Sequence, residues 1–566
     1  MRQLNRINQF ARLWQYSRGM PQETSVAELA TCCFCSERHM RTLLRQWQDD
    51  GWLDWQAQSG RSKRGTLTFL QAPDRLRSEL LQQQLDRGHS QHAVQLAQLD
   101  PEQLSQLLQP FMGGQWLNDT PTLRIPYYRP LETLRPLTMH GRAEQHLARH
   151  IFSGLTRFEG NRVVADLAHH WVSNESETEW FFFLRPQLRW HHGEPVSVHQ
   201  LQTRLQAMLT SQPGRELFAS VKNVSLAHAL CLRFELYFPD CWLAHRLATV
   251  LALLPHPADD DVGTGPYRLV HFSPTLIRIE SHNGYHLAHP LMQAIEYWIT
   301  PQLFDRTLGT RCRHPVQIAV GAYNELSLLR PVSKSISLGF CYLAVQQRKR
   351  LSREQAKKLM RLIHQSGIIA HLTVDIGLIT PSNEMLPGWT LPDWHSDADV
   401  ALPANLSLHY HLPSELHAMA RKLQELLADH GCQLEIAFYD AKSWENYDAL
   451  DDADLIMGDR LIGEAPEFTL ESWLHLDPLW PTILPEMHYA DLLQTLREIQ
   501  IRKEEAARVD GLKQTFQRLM EDAIIMPLFN YHYQVSAPPG VEGIQLNAWG
   551  WFDFTRAWLP PPVHIE

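Results

Sequence analysis

Cysteine is scarce, with 8 in 566 residues. So few in so long a chain do not build a disulfide framework. Long apolar runs are missing too. The stretch from Leu247 to Pro255 falls well short of the ~18 residues a membrane-crossing helix needs, so no membrane insertion is expected. The opening MRQLNRINQFARLWQY carries Arg at 2, 6 and 12 and polar residues throughout. No continuous apolar stretch of ~7–15 residues follows, so a secretory signal is not expected and a cytoplasmic location is. Catalytic signatures are also absent: no GxSxG, HExxH or GxxxxGK[ST], and no GxGxxG after a strand-like run. The paired carboxylates Asp451-Asp452 and Asp259-Asp260-Asp261 lie in polar, loop-like stretches. No enzymatic activity and no cofactor are expected.

What is present reads as folded protein. Hydrophobic residues make up 44% and charged residues 20%, which disfavours disorder and supports real cores. The length is that of several domains. Eighteen Trp suit both cores and the walls of ligand clefts. The net charge of −10 is unevenly spread: residues 1–70 hold ten Arg and Lys against six Asp and Glu, about +4, leaving 42 against 56 for the rest, about −14. A basic head on an acidic body suggests that only the head meets a polyanion.

In the head, Ile7, Phe10, Ala11 and Trp14 recur at helical spacing. Ser25-Val-Ala-Glu28 fits a capping box. Ser36 is a good N-cap for ERHMRTLLRQWQDD, and Gly51 is placed to end that helix in a left-handed cap. At 100° per residue, Met40, Leu43, Leu44 and Trp47 share one arc, while Arg38, Arg41, Thr42 and Arg45 lie opposite. Two strand-like runs, WLDWQ and LTFL, flank a basic tip at Arg61, Lys63 and Arg64. Helix, helix, basic helix and basic hairpin together are the layout of a winged helix-turn-helix over residues 1–70. Its helix would read a DNA major groove and its wing would touch phosphates. Ser36, Arg38, Arg41, Thr42, Arg45, Arg61, Lys63 and Arg64 are the candidate contacts to double-stranded DNA. The Cys32-Cys33-Phe34-Cys35 cluster has no matching Cys/His pair at finger spacing and reads as structural.

Residues 71–120 look like a helical connector, or an element through which two copies dimerise. From about 121 onwards strand-like and helical stretches alternate, which suggests α/β lobes with mixed sheets. Adjacent His169-His170 and His191-His192 do not make two-ligand sites, because neighbours on a strand face opposite ways. His192-Gly193 reads as a turn, and no metal site is expected.

The order HIFSGLTRFEGN, VADLAHHW, EWFFFLRPQLRWHHGEPVS and then GTGPYRLV resembles the family-5 extracellular solute-binding proteins of ABC importers. A winged helix joined to such a body resembles the SgrR family of transcriptional regulators. That resemblance implies a multidomain chain: a winged helix-turn-helix head, a helical linker, and a two-lobed, periplasmic-binding-protein-like α/β body. Lobe one is expected over about 121–300 plus 525–566 and lobe two over about 301–524. A small solute such as a sugar phosphate or peptide would sit between the lobes. By the same resemblance, Tyr127, Tyr128 and Arg129 at the first strand, Trp444, and Asp459 with Arg460 become candidate ligand contacts. The family's acidic segment aligns loosely with Met457–Pro466, and Arg460 directly after Asp459 admits an anionic ligand. The plainer alternative for Tyr127–Arg129 is a core strand with a salt-bridged Arg. The function implied is a DNA-binding regulator that senses a small solute. The alternative is a solute-binding component linked to a peptide- or nickel-type transporter, with a vestigial head.

Overall fold

The computed structural model describes residues 2–58, 64–86, 112–117, 119–127, 129–139, 141–299, 330–331, 336–372, 379–394, 400–411, 415–439, 448–533, 536–537, 541–546 and 552–562. Among them no helix is long and apolar enough to cross a membrane.

The head begins with α1 (Arg2–Ser17), β1 (Gln22–Thr24), α2 (Val26–Cys32) and α3 (Glu37–Asp49). The hairpin β2 (Leu53–Gln56) and β3 (Gly65–Phe69) follows, then α4 (Pro73–Asp86). The Ser25–Glu28 capping box forms with both of its hydrogen bonds. Gly51 stops α3 at φ +71. Met40, Leu43, Leu44 and Trp47 are buried, as the helical arc requires. Phe10 makes tilted or edge contacts with Trp47, Trp52 and Phe69, closing α1 over α3 and the hairpin. Strand β1 adds a third member in the order β1-β3-β2, all antiparallel. It is only three residues long, too short for an alternation signal.

Lobe one has a five-stranded sheet. Its members are β4 (Gly113–Leu117), β5 (Thr120–Tyr127), β12 (Tyr267–Phe272), β13 (Leu276–Ser281) and β14 (Ala294–Ile299), in the order β12-β13-β14-β5-β4. Only the β14/β5 pair is parallel. Gly113–Leu117, expected in the connector, therefore belongs to the body's sheet. Helix α5 (Arg142–Ile151) covers this sheet with Ala143, Leu147 and Ile151. The small hairpin β6 (Thr156–Glu159) and β7 (Arg162–Ala165) leads to a second, four-stranded sheet. That sheet contains β8 (Ala168–Ser173), β9 (Glu179–Leu184), β10 (Val221–His228) and β11 (Cys231–Leu236), ordered β10-β11-β9-β8. In β9 the run EWFFFL alternates: Trp180, Phe182 and Leu184 are buried, and the residues between them are less so. The buried set meets Leu201, Leu205 and Met208 of α6 (Val198–Thr210).

Gly263 and Gly265 lie against the end of α5. A side chain at Gly265 would meet His150 O at 2.6 Å, and one at Gly263 would collide with Ile151 O. Close backbone approach, rather than a left-handed turn, is what demands glycine there.

Lobe two has a six-stranded mixed sheet with β15 (Ile336–Val345) near its middle. The others are β16 (Ile379–Pro381), β17 (Asn405–Tyr410), β18 (Gln433–Phe438), β19 (Leu455–Leu461) and β20 (Ile525–Tyr533), ordered β16-β20-β15-β19-β17-β18. Strand β15 is buried on both faces, which is why Phe340–Val345 reads as an unbroken apolar run. Cys341, Leu343 and Val345 join one core, and Phe340, Tyr342 and Ala344 join another. Ile525–Tyr533, expected to have returned to lobe one, lies inside this sheet and pairs with β15. The return to lobe one comes later, with Val541, Ile544, Phe554 and Ala557 in its core. Between the lobes, Arg330–Pro331 pairs antiparallel with Ser536–Ala537, so the two crossing segments are bonded to each other.

Candidate functional site

Two surfaces bring the expected residues together. The first is the outer face of α3. Ser36 adopts an extended backbone and its side chain accepts from His39 N at 3.2 Å, fixing the start of the helix. Arg38, Arg41, Thr42 and Arg45 are all exposed. Arg41 pairs with Glu37 at 2.9 Å, and Thr42 Oγ1 donates to Arg38 O at 3.2 Å. Arg64 is exposed and reaches Glu28 at 3.1 Å, tying the base of the wing to α2. Arg61 and Lys63 lie outside the described residues.

In the turn that leads into α3, sequence reasoning did not single out the exposed Phe34. It sits two residues before the α3 cap and is 85% exposed, with φ +51. The Arg12 guanidinium lies 5.5 Å from its ring centre. A bulky residue held in the left-handed region and in water gains nothing from folding. The only signal was a large apolar residue in the middle of a short turn. Its neighbour Cys33 is structural: it is 1% exposed, and burial pushes its thiol up to about 12.

The second surface is the cleft between the lobes. A cavity of about 440 Å³ is walled by Arg142, Gln145, Arg149 and Phe158 from lobe one and by Asp459, Arg460, Glu464 and Phe468 from lobe two, among others. Strand β19 is buried from Leu455 to Gly458, then carries Asp459 and Arg460 out at its end. Asp459 pairs with Arg142 across the cleft, and Glu464 lies 3.3 Å from Arg149. Arg460 lies 3.6 Å from Asp477 and 5.6 Å from the Trp473 ring. His411 stands near Asp459 and Arg142, and burial holds its imidazole below the ordinary value. The cavity thus has cationic and anionic walls that currently satisfy each other.

Tyr127 and Arg129 take the plainer role. Tyr127 is 1% exposed in the core of lobe one and meets Tyr297 edge-on at 6.4 Å. Arg129 is held by both oxygens of buried Glu144, at 2.7 and 3.0 Å. Neither is among the residues walling the cavity. Tyr128 and Trp444 lie outside the described residues.

Beside the cavity the lobes meet in a buried knot. The short helix α7 (Leu243–Arg246) of lobe one presents Arg246 to α10 (Pro466–Leu476) of lobe two, after α8 (Arg353–Ser366) and α9 (Glu415–Asp429) in the chain. Arg246 bonds Glu471 at 2.7 and 3.1 Å and Asp240 at 2.8 Å. His475 Nε2 lies 3.1 Å from Glu471. Phe468 packs against Phe158, Trp242 and His245.

His191 is also structural. Its Nδ1 accepts from Gly263 N at 3.1 Å, and its Nε2 lies 3.2 Å from Gly265 O. Burial and nearby His282 lower it to about 3. Gly193 has φ +90, as the turn reading requires.

Comparison with known proteins follows this division. Residues 5–119 match the family described as "Sugar transport-related sRNA regulator N-term". Residues 162–308 match "Bacterial extracellular solute-binding proteins, family 5 Middle". The chain is 56% identical over 564 residues to YbaE of Escherichia coli (strain K12), covering 99% of this chain and all of that one. It is 30% identical over 570 residues to the HTH-type transcriptional regulator SgrR of Yersinia enterocolitica, covering 98% of each. Among solved structures it is similar to NikA from Brucella suis in complex with Fe(III)-EDTA, at TM-score 0.65 and 16% identity over 78% of this chain and all of that one. A dipeptide-binding protein from Pseudoalteromonas sp. SM9913 in complex with Met-Leu is similar at TM-score 0.62 and 15% identity, over 77% of this chain and 99% of that one. At such identities the likeness is one of fold.

Proposed function

The chain belongs to the SgrR family of HTH-type transcriptional regulators, and on that premise we propose that it is a cytoplasmic DNA-binding regulator that senses a small solute in the cleft between its lobes. It acts as a regulator and not as an enzyme. Arg38, Arg41 and Arg45 enter the major groove and read guanine edges, with Ser36 and Thr42 beside them. Arg64, with Arg61 and Lys63 of the wing, supplies phosphate contacts. The observation that carries this reading is the exposed arginine face on a capped helix whose opposite face is wholly buried.

In the cleft, Asp459 and Arg460 contact the solute. An anionic ligand such as a sugar phosphate, or a peptide terminus, competes with the Arg142–Asp459 and Arg149–Glu464 pairs for their guanidinium groups. Only a ligand that binds one arrangement of the lobes better than another can alter DNA affinity. As part of this reading, two copies bind a two-fold operator.

The head is tested on DNA fragments selected by the wild-type protein from a random pool. The Arg38/Arg41/Arg45→Ala triple variant should lose on the order of 100-fold or more in affinity, at ~1–3 kcal/mol per base contact. Arg64→Ala should weaken all sequences alike and lower the salt slope by about one. Wild-type mobility shifts by the triple variant would remove the α3 assignment.

For the cleft, sugar phosphates and short peptides are screened by thermal shift on the full chain. An effector at 100 times its Kd adds ~2.7 kcal/mol to the folded state. Asp459→Ala and Arg460→Ala should each abolish that gain, and a shift that survives both substitutions places the solute elsewhere. The transport-linked alternative predicts periplasmic protein on cell fractionation.

A further inference from the structure

We propose that His192, Glu194 and His256 form a binding site for a divalent transition-metal ion of the zinc type on the surface of lobe one. Each of the three offers a ligand atom, and these atoms all lie within 4.8 Å of one another. Tetrahedral zinc bonds of ~2.0–2.2 Å to nitrogen and oxygen place neighbouring donors somewhat over 3 Å apart, so small side-chain rotations close the set. Two imidazoles with one carboxylate favour zinc, nickel or copper over magnesium or calcium, which prefer oxygen alone. Exposure of His192 and Glu194 leaves an open side for water as the fourth ligand.

The adjacent pair His191-His192 is not itself the site. His191 turns inward and is used up on the Gly263–Gly265 backbone. His192 turns outward, and its ring centre lies 5.2 Å from that of His256, 64 positions along the chain. The two loops are fixed before any ion arrives. Trp190, fully buried, stands edge-on to His256 at 4.9 Å and donates to Gln200 Oε1 at 3.1 Å. His256 N bonds Val262 O at 2.8 Å.

The His256 ring also has something to give. Ala258 N lies 3.2 Å from its Nδ1 and Gln200 Nε2 lies 3.2 Å from its Nε2. A neutral imidazole has one acceptor nitrogen, so it satisfies only one of these donors. An ion that takes the lone pair therefore displaces a single long hydrogen bond. Asp259 and Glu194 add negative charge nearby, while Arg204 is paired with Asp260.

The test is calorimetric titration of Zn²⁺ into the metal-free full-length chain, with Co²⁺ absorption as a second readout. One saturable equivalent is expected, with the visible bands of tetrahedral Co²⁺ and a rise in melting temperature. His192→Ala and His256→Ala should each lose that equivalent, and Glu194→Gln should weaken it about tenfold or more, at least the cost of losing an outer-shell partner. The His169→Ala/His170→Ala variant, which removes another histidine pair, should keep it. His192 and Glu194 are exposed, so their variants should melt like the metal-free wild type. An equivalent that persists in both His192→Ala and Glu194→Gln, or no saturable equivalent in the wild type, would overturn the site. Neither result bears on DNA or effector binding.

Discussion

Arg246→Ala is expected to destabilise the body by about 3–5 kcal/mol, the cost of stranding a buried charge. For a unit of 150–250 residues, at roughly 2–4 °C per kcal/mol, the melting temperature should fall by on the order of 10 °C. Arg246, Asp240 and Glu471 are almost wholly excluded from water. The guanidinium bonds both carboxylates, so its removal leaves two buried acids and one large vacated volume. Burial alone would push the Glu471 carboxyl up, but Arg246 and His475 more than reverse this and hold it at about 2, against 4.5 ordinarily. A depressed carboxylate contributes stability that is complete above about pH 4.5 and is lost as the pH falls towards 2. In Arg246→Ala the burial remains and the larger opposing charge is gone, so the Glu471 value rises above 4.5 and the sign inverts. The deficit relative to wild type should then shrink on acidification from pH 7 to pH 5. Thermal melts across that range check it. Pairing Arg246→Met with Glu471→Leu should recover part of the loss, because well-packed apolar groups replace buried ion pairs at little cost. A deficit that does not change with pH would mean that Arg246 acts by packing against Phe468, which lies 5.8 Å away.

That knot also marks how far sequence reading reaches. Local signals were legible: the Ser25 and Ser36 caps, the Gly51 stop and the buried arc of α3 each depend on neighbours within a few positions. So did the two-sided burial of Phe340–Val345. Partners 225 positions apart, such as Arg246 and Glu471, leave no local trace, since neither residue type reveals its burial. Tyr127 and Arg129 were drawn towards the cleft by family position, whereas Glu144 on the next helix draws Arg129 aside and leaves Tyr127 in the core. Asp459 and Arg460 do reach the cleft, because their strand ends there. Arg142 and Arg149, which face Asp459 and Glu464 from α5, sit on a helix whose sequence looks like any amphipathic surface helix. Ile525–Tyr533 was misplaced for a similar reason: a strand does not announce which sheet it joins.

Trp298→Ala is expected to separate the head from lobe one. Trp298 is fully buried, its indole donates to Glu296 at 2.9 Å, and Arg124 lies 5.0 Å over its ring. Its apolar contacts belong to the core of the head. One cluster runs from Phe10 and Trp47 through Leu76 and Leu80 of α4 and Met112 to Leu276 and Trp298 of the body sheet. Truncating a buried Trp to Ala costs about 3–5 kcal/mol, and here the loss falls on the seam between two units. The head retains Phe10, Leu29, Leu43 and Trp47, so it should stay folded and keep its DNA affinity within a few-fold. Strand β14 also carries Ile295 and Tyr297, which face the core of lobe one beneath α5 and its cleft residues. Among the described residues, Leu276, Trp298, Met112 and α4 form the packed path by which an effector that shifts the lobes reaches the head. Wild-type protein should therefore change its DNA affinity when effector is added, and Trp298→Ala should lose most of that change while still binding both partners. Separate head and body transitions in calorimetry should accompany it. An unchanged effector response in a variant whose transitions have split would place the coupling outside this seam.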